Sequence, residues 1–275
     1  MRRYCLPALA LIAAAMPIAQ PAARDATVFD PPLAVKRVVL PRAGTDAPDK
    51  NELTCFYFKD LRVKQLDQGE VGAAELAILP LAAPAEPACE RATAPGEIVI
   101  PGKEWSGYFK GVRGSFVLFD ADDGTNGGLG FAVFDGRNGK RLFDDLAVGD
   151  IRSAQPAADG ITLRYRRAAL APCSLVSGGQ ACWEKTVAAV PELKDTGQPD
   201  CLAGYQAAKT AMAHARCEAH GDKGEACSKR EIQLLDAQRW DAAPSVIGYE
   251  AEARVTRTAH SVVSLGGGLS CWPSD

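Results

Sequence analysis

The sequence contains few of the residues and motifs on which enzymes rely at neutral pH. It has three histidines among 275 residues. The patterns G-x-S-x-G, H-E-x-x-H and S-x-x-K, a P-loop, and a G-x-G-x-x-G following a strand are all absent from it. These absences exclude the enzyme classes that a local motif identifies. They leave open a Ser-His-Asp triad or a carboxylate pair that the fold assembles from distant residues.

An excess of positive charge is also missing. Lysine and arginine together number 31 against 34 aspartate and glutamate residues, which gives a formal net charge of −3. A mildly acidic chain lacks the basic footprint of a nucleic-acid-binding protein, and no basic amphipathic helix is present for a membrane surface. We therefore predict no nucleic-acid partner.

Long hydrophobic runs are absent beyond the N-terminus. Arg2 and Arg3 precede an apolar run over residues 4–18, and small residues follow that run. The run is too short to span a bilayer comfortably, which is typical of a secretory signal peptide. We predict a signal peptide over residues 1–23 with cleavage between residues 19 and 26; the alternative is an uncut membrane anchor. The mature chain is then an exported monomer, periplasmic or secreted, without a membrane span. We predict that it forms a single mainly-β domain over residues 27–275.

The cysteines agree with export. Nine are present, and removal of Cys5 with the signal peptide leaves an even number. In an oxidising compartment, eight cysteines predict four disulfides. The eight are Cys55, Cys89, Cys173, Cys182, Cys201, Cys217, Cys227 and Cys271.

The spacing of the cysteines favours one set of pairs. Cys55 and Cys89 bracket a predicted hairpin, and Cys173 and Cys182 enclose a Gly-Gly pair that predicts a second hairpin. An alanine-rich helix over residues 203–219 would separate Cys201 from Cys217 by sixteen residues at ~1.5 Å each, too far for a disulfide. We therefore pair Cys217 with Cys227 across a short loop, and Cys201 with Cys271. Eight cysteines allow 105 connectivities, so spacing alone does not prove this set.

The clearest structural pattern lies in residues 105–145. Runs of aromatic and β-branched residues at 115–120, 129–135 and 140–143 are separated by the turn sequences ADDGTNGG and GRNG. They predict an antiparallel meander. Phe116 and Leu118 compete with Val117 and Phe119 for the core, which indicates a central strand covered on both faces.

Further elements complete a predicted fold of mainly β class, α+β in its C-terminal part. Strands are predicted at residues 33–40, 56–66, 74–79, 161–167, 246–255 and 261–265, and helices at 203–219 and 229–240. We expect a disulfide-stapled, sandwich- or barrel-like core with one or two helices near residues 203–240 packed on it.

An acidic segment within the meander is a candidate calcium site. Asp120, Asp122, Asp123 and Asn126 place three carboxylates and an amide close together, and calcium prefers such oxygen-rich loops. The spacing does not match an EF-hand, because Gly124 occupies a ligand position and no glutamate follows at the twelfth. The alternative is an ordinary polar hairpin turn. No other cofactor is predicted.

Two further groups are candidate binding residues. Trp105 and Tyr108 belong to an aromatic cluster that, if exposed, could stack on sugars or anchor a partner; the alternative is a place in the core. Arg164 and Arg166 share one face of their strand and could meet an anion or an acidic partner; the alternative is a solvated strand face.

These observations favour an exported binding or protein-interaction module whose partner is an envelope protein or polysaccharide. The alternative is an exported hydrolase that acts on envelope polysaccharide or peptide through a dispersed active site. The two differ in geometry: a cleft with converging carboxylates, or a histidine within reach of a serine, favours the hydrolase.

Overall fold

The computed structural model of this chain describes residues 27–41, 50–222 and 224–274, so the predicted signal peptide lies outside the described residues. Two antiparallel sheets form the described part. The five-stranded sheet is a simple meander in the order β1-β2-β3-β4-β5. Its strands are β1 (Ala34–Val39), β2 (Glu52–Tyr57), β3 (Leu61–Asp67), β4 (Glu75–Pro80) and β5 (Ile98–Ile100).

The nine-stranded sheet has the order β13-β12-β11-β9-β8-β7-β6, with β10 paired to β11 and β14 paired to β12. Its strands are β6 (Gly107–Arg113), β7 (Phe116–Thr125), β8 (Gly128–Asp135), β9 (Arg141–Ala147), β10 (Ser153–Pro156), β11 (Gly160–Leu170), β12 (Ser245–Thr256), β13 (His260–Ser264) and β14 (Ser270–Pro273). The predicted meander is confirmed as β7 to β9, and β6, which was not predicted, extends it.

The smaller sheet packs on one face of the larger one, and β7 shows why. Val117 and Phe119 join Val63 and Ile78 of the smaller sheet in one buried cluster. Phe116 and Leu118, which alternate with them along the strand, belong to a second cluster on the opposite face. The expectation of a central strand covered on both faces is therefore confirmed.

The larger sheet curls strongly. The side chain of Arg257, directly after β12, donates a hydrogen bond of 2.5 Å to Ser115 Oγ, directly before β7. In hydrogen-bonding order, β11, β9 and β8 lie between these two strands, so a flat sheet at roughly 4.8 Å per strand could not bring the two residues together. Among the described strands the curled sheet does not close into a barrel.

Three helices follow β11: α1 (Leu175–Ala189), α2 (Leu202–Ala219) and α3 (Glu225–Ala237). The two helices predicted near residues 203–240 are confirmed as α2 and α3. Trp183 of α1 and Tyr205 of α2 enter the second cluster together with Tyr165 and Ile247 of the sheet. No helix in the described ranges is long and apolar enough to cross a membrane.

The predicted hairpin between Cys173 and Cys182 is wrong, because this segment begins α1. Ser174 caps the helix by accepting hydrogen bonds from the backbone of Val176 and Ser177. The Gly-Gly pair does not reverse the chain: Gly179, at φ 50° and ψ −137°, kinks a helix that continues beyond it. Burial of Cys182 and Trp183 in the core decides the helical outcome.

The predicted single strand over residues 56–66 is also wrong. The chain turns after Tyr57, and Phe58 N donates to Leu61 O at 2.8 Å to close a hairpin between β2 and β3. Phe58 and Leu61 are both buried in the cluster between the sheets. The turn contains no glycine or proline, which ordinarily mark turns, and the charged pair Lys59 and Asp60 stands between the apolar Phe58 and Leu61. In addition, β14 was not predicted; it lies beyond residues 261–265, the last predicted strand.

All four disulfides join the cysteines that the spacing paired: Cys55–Cys89, Cys173–Cys182, Cys201–Cys271 and Cys217–Cys227. Four disulfides in one chain indicate an oxidising, extracytoplasmic compartment.

Candidate functional site

The four predicted calcium ligands lie along the β7–β8 hairpin. Asp120, Asp122 and Asp123 are in β7, and only Asn126 and Gly127, with φ values of 52° and 70°, form the turn. Two consecutive positive φ values are those of a type I′ hairpin turn. The strand therefore continues through most of the segment that was predicted to be a loop.

The side chains of these residues are not assembled as a ligand set. Asp120 accepts a hydrogen bond of 2.8 Å from Lys110 Nζ, and burial raises the pKa of its carboxyl against the opposing effect of that lysine. Asp123 accepts from the backbone of Gly124 at 2.7 Å. Within the described ranges, no group of three or more histidine, cysteine, aspartate or glutamate residues is arranged to hold a metal ion. The structure thus gives the calcium prediction no support.

The two predicted aromatic binding residues are held within the fold. Trp105 Nε1 donates to Asp120 O at 3.1 Å, and the indole packs against the cluster between the sheets. Tyr108 Oη accepts from Gly72 N at 2.9 Å and donates to Glu70 O at 3.1 Å. The contacts of Tyr108 tie β6 to the β3–β4 connection, and that of Trp105 ties the segment before β6 to β7.

The two predicted arginines form cross-strand pairs. Arg164 lies opposite Glu252 and Arg166 opposite Glu250 in the β11–β12 ladder. Arg164 Nε is 2.9 Å from Glu252 Oε2, and Arg166 donates to Glu250 Oε1 at 3.1 Å and to Ser270 Oγ at 2.6 Å. Both guanidinium groups thus have carboxylate partners within the chain, as in a charged strand face.

Arg167, on the opposite face of β11, lies between two carboxylates. Its guanidinium contacts Asp145 at 2.8 Å and pairs with Glu192. Tyr165 Oη donates to Asp145 at 2.6 Å and Tyr249 Oη to Glu192 at 2.8 Å. Burial, reinforced by these carboxylates, raises the pKa of both tyrosines. Each carboxylate therefore binds the guanidinium of Arg167 and one tyrosine hydroxyl. Together these residues form a structural network.

A different group of residues surrounds an open cavity of about 220 Å³, here called the turn pocket. Its lining comes from four hairpins: β6–β7, β8–β9, β10–β11 and β12–β13. Curling of the large sheet brings these connections together. The charged and small residues that line it include Arg113, Arg137, Arg257, Asp159, Ala157 and Ala158.

Two of the three arginines of the turn pocket are held in place by carboxylates behind the lining. Arg113 donates to Asp30 at 2.9 Å, and its Nε is buried without a hydrogen-bond partner in the described structure. Leaving a buried donor without a hydrogen-bond partner costs about 1–3 kcal/mol of folding free energy. Arg257 donates to Asp135 at 3.1 Å and lies 4.9 Å from the centroid of the Phe116 ring. Both guanidinium groups are thereby pre-oriented.

Arg137 differs from the other two. It lies in the β8–β9 turn and is exposed, and its side chain makes no hydrogen bond or ion pair with any residue that the structure describes. The turn itself is rigid, because the buried Asp135 accepts from Arg137 N at 3.1 Å and from Arg257. A hydrogen-bonded backbone thus presents to the pocket a guanidinium that has no partner among the described residues.

Sequence reasoning did not find the turn pocket. The only local signal is that Arg113 and Arg137 adjoin glycines in turn sequences and Arg257 follows a strand. Arginines in turns are common on any surface, so this signal does not identify a site. The three arginines line one cavity because the sheet curls.

The fold and the pocket define a disulfide-stapled, antiparallel β protein with a basic cavity among its turns. Neither family models nor curated proteins match this sequence, and no solved structure matches this fold.

Proposed function

We propose that this chain is an exported, periplasmic binding module that holds part of an envelope component in the turn pocket. The observation that carries the proposal is the convergence of Arg113, Arg137 and Arg257, from separate hairpins, on one cavity. Binding residues typically lie on loops that a rigid scaffold positions. Here the scaffold is a curled sheet, and buried Asp135 couples two of the turns.

The arrangement of the polar groups favours binding over hydrolysis. The carboxylates that converge, Asp145 and Glu192, are held by Arg167 and by tyrosine hydroxyls. Of the three histidines, none makes a side-chain hydrogen bond to a serine in the described ranges, and His260 packs 5.3 Å from the Phe143 ring. These contacts support the binding proposal over that of an exported hydrolase.

Native mass spectrometry tests this proposal on the full chain, expressed with its leader and recovered from a periplasm. Neutral, carboxylated and sulfated oligosaccharides and short peptides serve as probes. We expect an adduct with the mass of the intact probe and no probe fragments in solution. Arg137→Ala should weaken the adduct about tenfold or more, because it removes charge-assisted hydrogen bonds without breaking a contact of the fold.

Arg37→Ala is the matched control, since it removes an equal charge from β1, outside the turn pocket. It should retain the adduct. Fragments released by the wild-type protein would instead support the hydrolase, and equal losses in the two variants would contradict the assignment of the pocket.

A further inference from the structure

The turn pocket has the charge and the size for one compact anion. Three arginines against one carboxylate, Asp159, give its lining a net charge of +2. Asp30 and Asp135 are not part of the lining, but they pair with Arg113 and Arg257 and offset their charges, so Arg137 is the lining arginine without a carboxylate partner among the described residues. A cavity of about 220 Å³ falls below the roughly 300–1,000 Å³ of pockets for drug-sized ligands. A cavity of this volume has room for a single anionic group.

The hydrogen-bond donors of the pocket favour a particular shape of anion. Each guanidinium has five N–H donors, and Arg113 and Arg257 keep some of theirs after binding Asp30, Asp135 and Ser115. The two oxygens of a planar carboxylate match the fork of one guanidinium. Three guanidinium groups from separate turns instead match an anion whose oxygens point in several directions.

We propose that the turn pocket binds a tetrahedral oxyanion, the phosphate or sulfate group of an ester. This inference rests on the proposed binding function and names its ligand class. Arg137 supplies an exposed guanidinium without a described partner, and Arg113 and Arg257 supply guanidinium groups that their carboxylate partners hold in place. The site binds without any bond being made or broken.

Asp159 allows a test in which affinity should increase. It is exposed in the β10–β11 turn and lines the pocket, and its side chain makes no hydrogen bond or ion pair with a described residue. Its charge opposes an anion in the pocket. Asp159→Asn keeps the size of the side chain and removes that repulsion, so we expect affinity to rise about threefold to tenfold.

The experiment is isothermal titration calorimetry of the full chain recovered from a periplasm. The titrants are inorganic phosphate, inorganic sulfate, glucose 6-phosphate and glucose 6-sulfate, with sodium acetate at equal ionic strength as the control anion. We expect saturable binding of the tetrahedral anions. Arg137→Ala should weaken it about tenfold or more, Asp159→Asn should strengthen it, and Arg37→Ala should leave it within about twofold.

If the glucose esters bind more tightly than inorganic phosphate and sulfate, the source of the anion is an esterified saccharide. If they bind equally well, the source is a free ion. The inference is overturned if the tetrahedral anions bind no better than acetate, or if Asp159→Asn leaves affinity unchanged while Arg37→Ala lowers it. If an oligosaccharide binds in a manner that depends on Arg137 but the oxyanions do not bind, only this inference is overturned. Loss of both would overturn the proposed function as well.

Discussion

Replacement of Glu97 by glutamine is expected to lower the free energy of unfolding by about 3–5 kcal/mol at neutral pH, the cost of leaving buried charges unpaired. The Glu97 carboxylate is fully buried and pairs with Arg62 and Lys64, both at 2.9 Å, whose side chains are 1% and 2% exposed. Without the carboxylate, both cations remain buried without a counter-charge. Urea unfolding at neutral pH measures the change.

This ion triad holds a loop on the outer face of the five-stranded sheet. Arg62 also donates to Ala88 O at 2.8 Å and Lys64 to Arg91 O at 3.2 Å. The Cys55–Cys89 disulfide joins the same loop to β2. The triad thus lies beside a small buried apolar cluster on the same face, which includes Cys55 and Tyr57, the cross-strand neighbours of Lys64 and Arg62.

The same carboxylate makes stability depend on pH. Burial by itself would raise the pKa of Glu97, but the hydrogen bonds from Lys64 and from the backbone of Ala94, with the charges of Lys64 and Arg62, hold it below the usual value of 4.5. A lowered folded-state pKa adds stability that is fully present above pH 4.5 and is lost as the pH falls through the lowered value. The wild-type protein should lose this part of its stability below pH 4.5, whereas Glu97→Gln should not.

Glu104→Gln is the matched control, because Glu104 is an exposed carboxylate in the connection before β6. We expect it to change the free energy of unfolding by no more than about 0.5 kcal/mol, as is usual for surface substitutions. If both variants unfolded at the same urea concentration, the triad would contribute nothing to stability.

Removal of the Cys201–Cys271 disulfide by a double substitution to alanine is expected to cost about 4 kcal/mol, the chain-entropy value for a loop of that length. The two cysteines are 70 residues apart, so the bridge restricts a long segment of the unfolded chain. It also fixes the start of α2 on β14. A methyl group at Gly204 would lie 1.8 Å from Cys271 O, which shows how closely the helix and strand approach.

The Cys217–Cys227 disulfide provides the comparison. It joins α2 to α3 over a separation of 10 residues, and its removal should cost about 3 kcal/mol or less on the same estimate. Non-reducing urea unfolding of the two double variants measures the difference. A greater loss on removing Cys217 and Cys227 would contradict the ranking.

The sequence by itself determined the features that depend on neighbours in the chain. Runs of aromatic and β-branched residues between turn sequences located the central strands, and in β7 the two-residue alternation placed Phe116 and Val117 on opposite faces, in separate clusters. The rise of a helix excluded the pairing of Cys201 with Cys217, which left the pairs that the structure contains. Local geometry narrowed the alternatives in these cases, because each depends on the repeat length of a strand or the rise of a helix.

Tertiary structure decided the remainder. The segment after Cys173 is helical because its side chains are buried in the core, although its glycine pair is typical of a turn. The turn pocket depends on a curl that brings Arg257 to Ser115 across three intervening strands. The two-residue repeat of a single strand does not predict that curl, because the curl results from the packing of a whole sheet. The candidate site could therefore be identified only from the tertiary structure, in which hairpins that are distant in sequence lie close together.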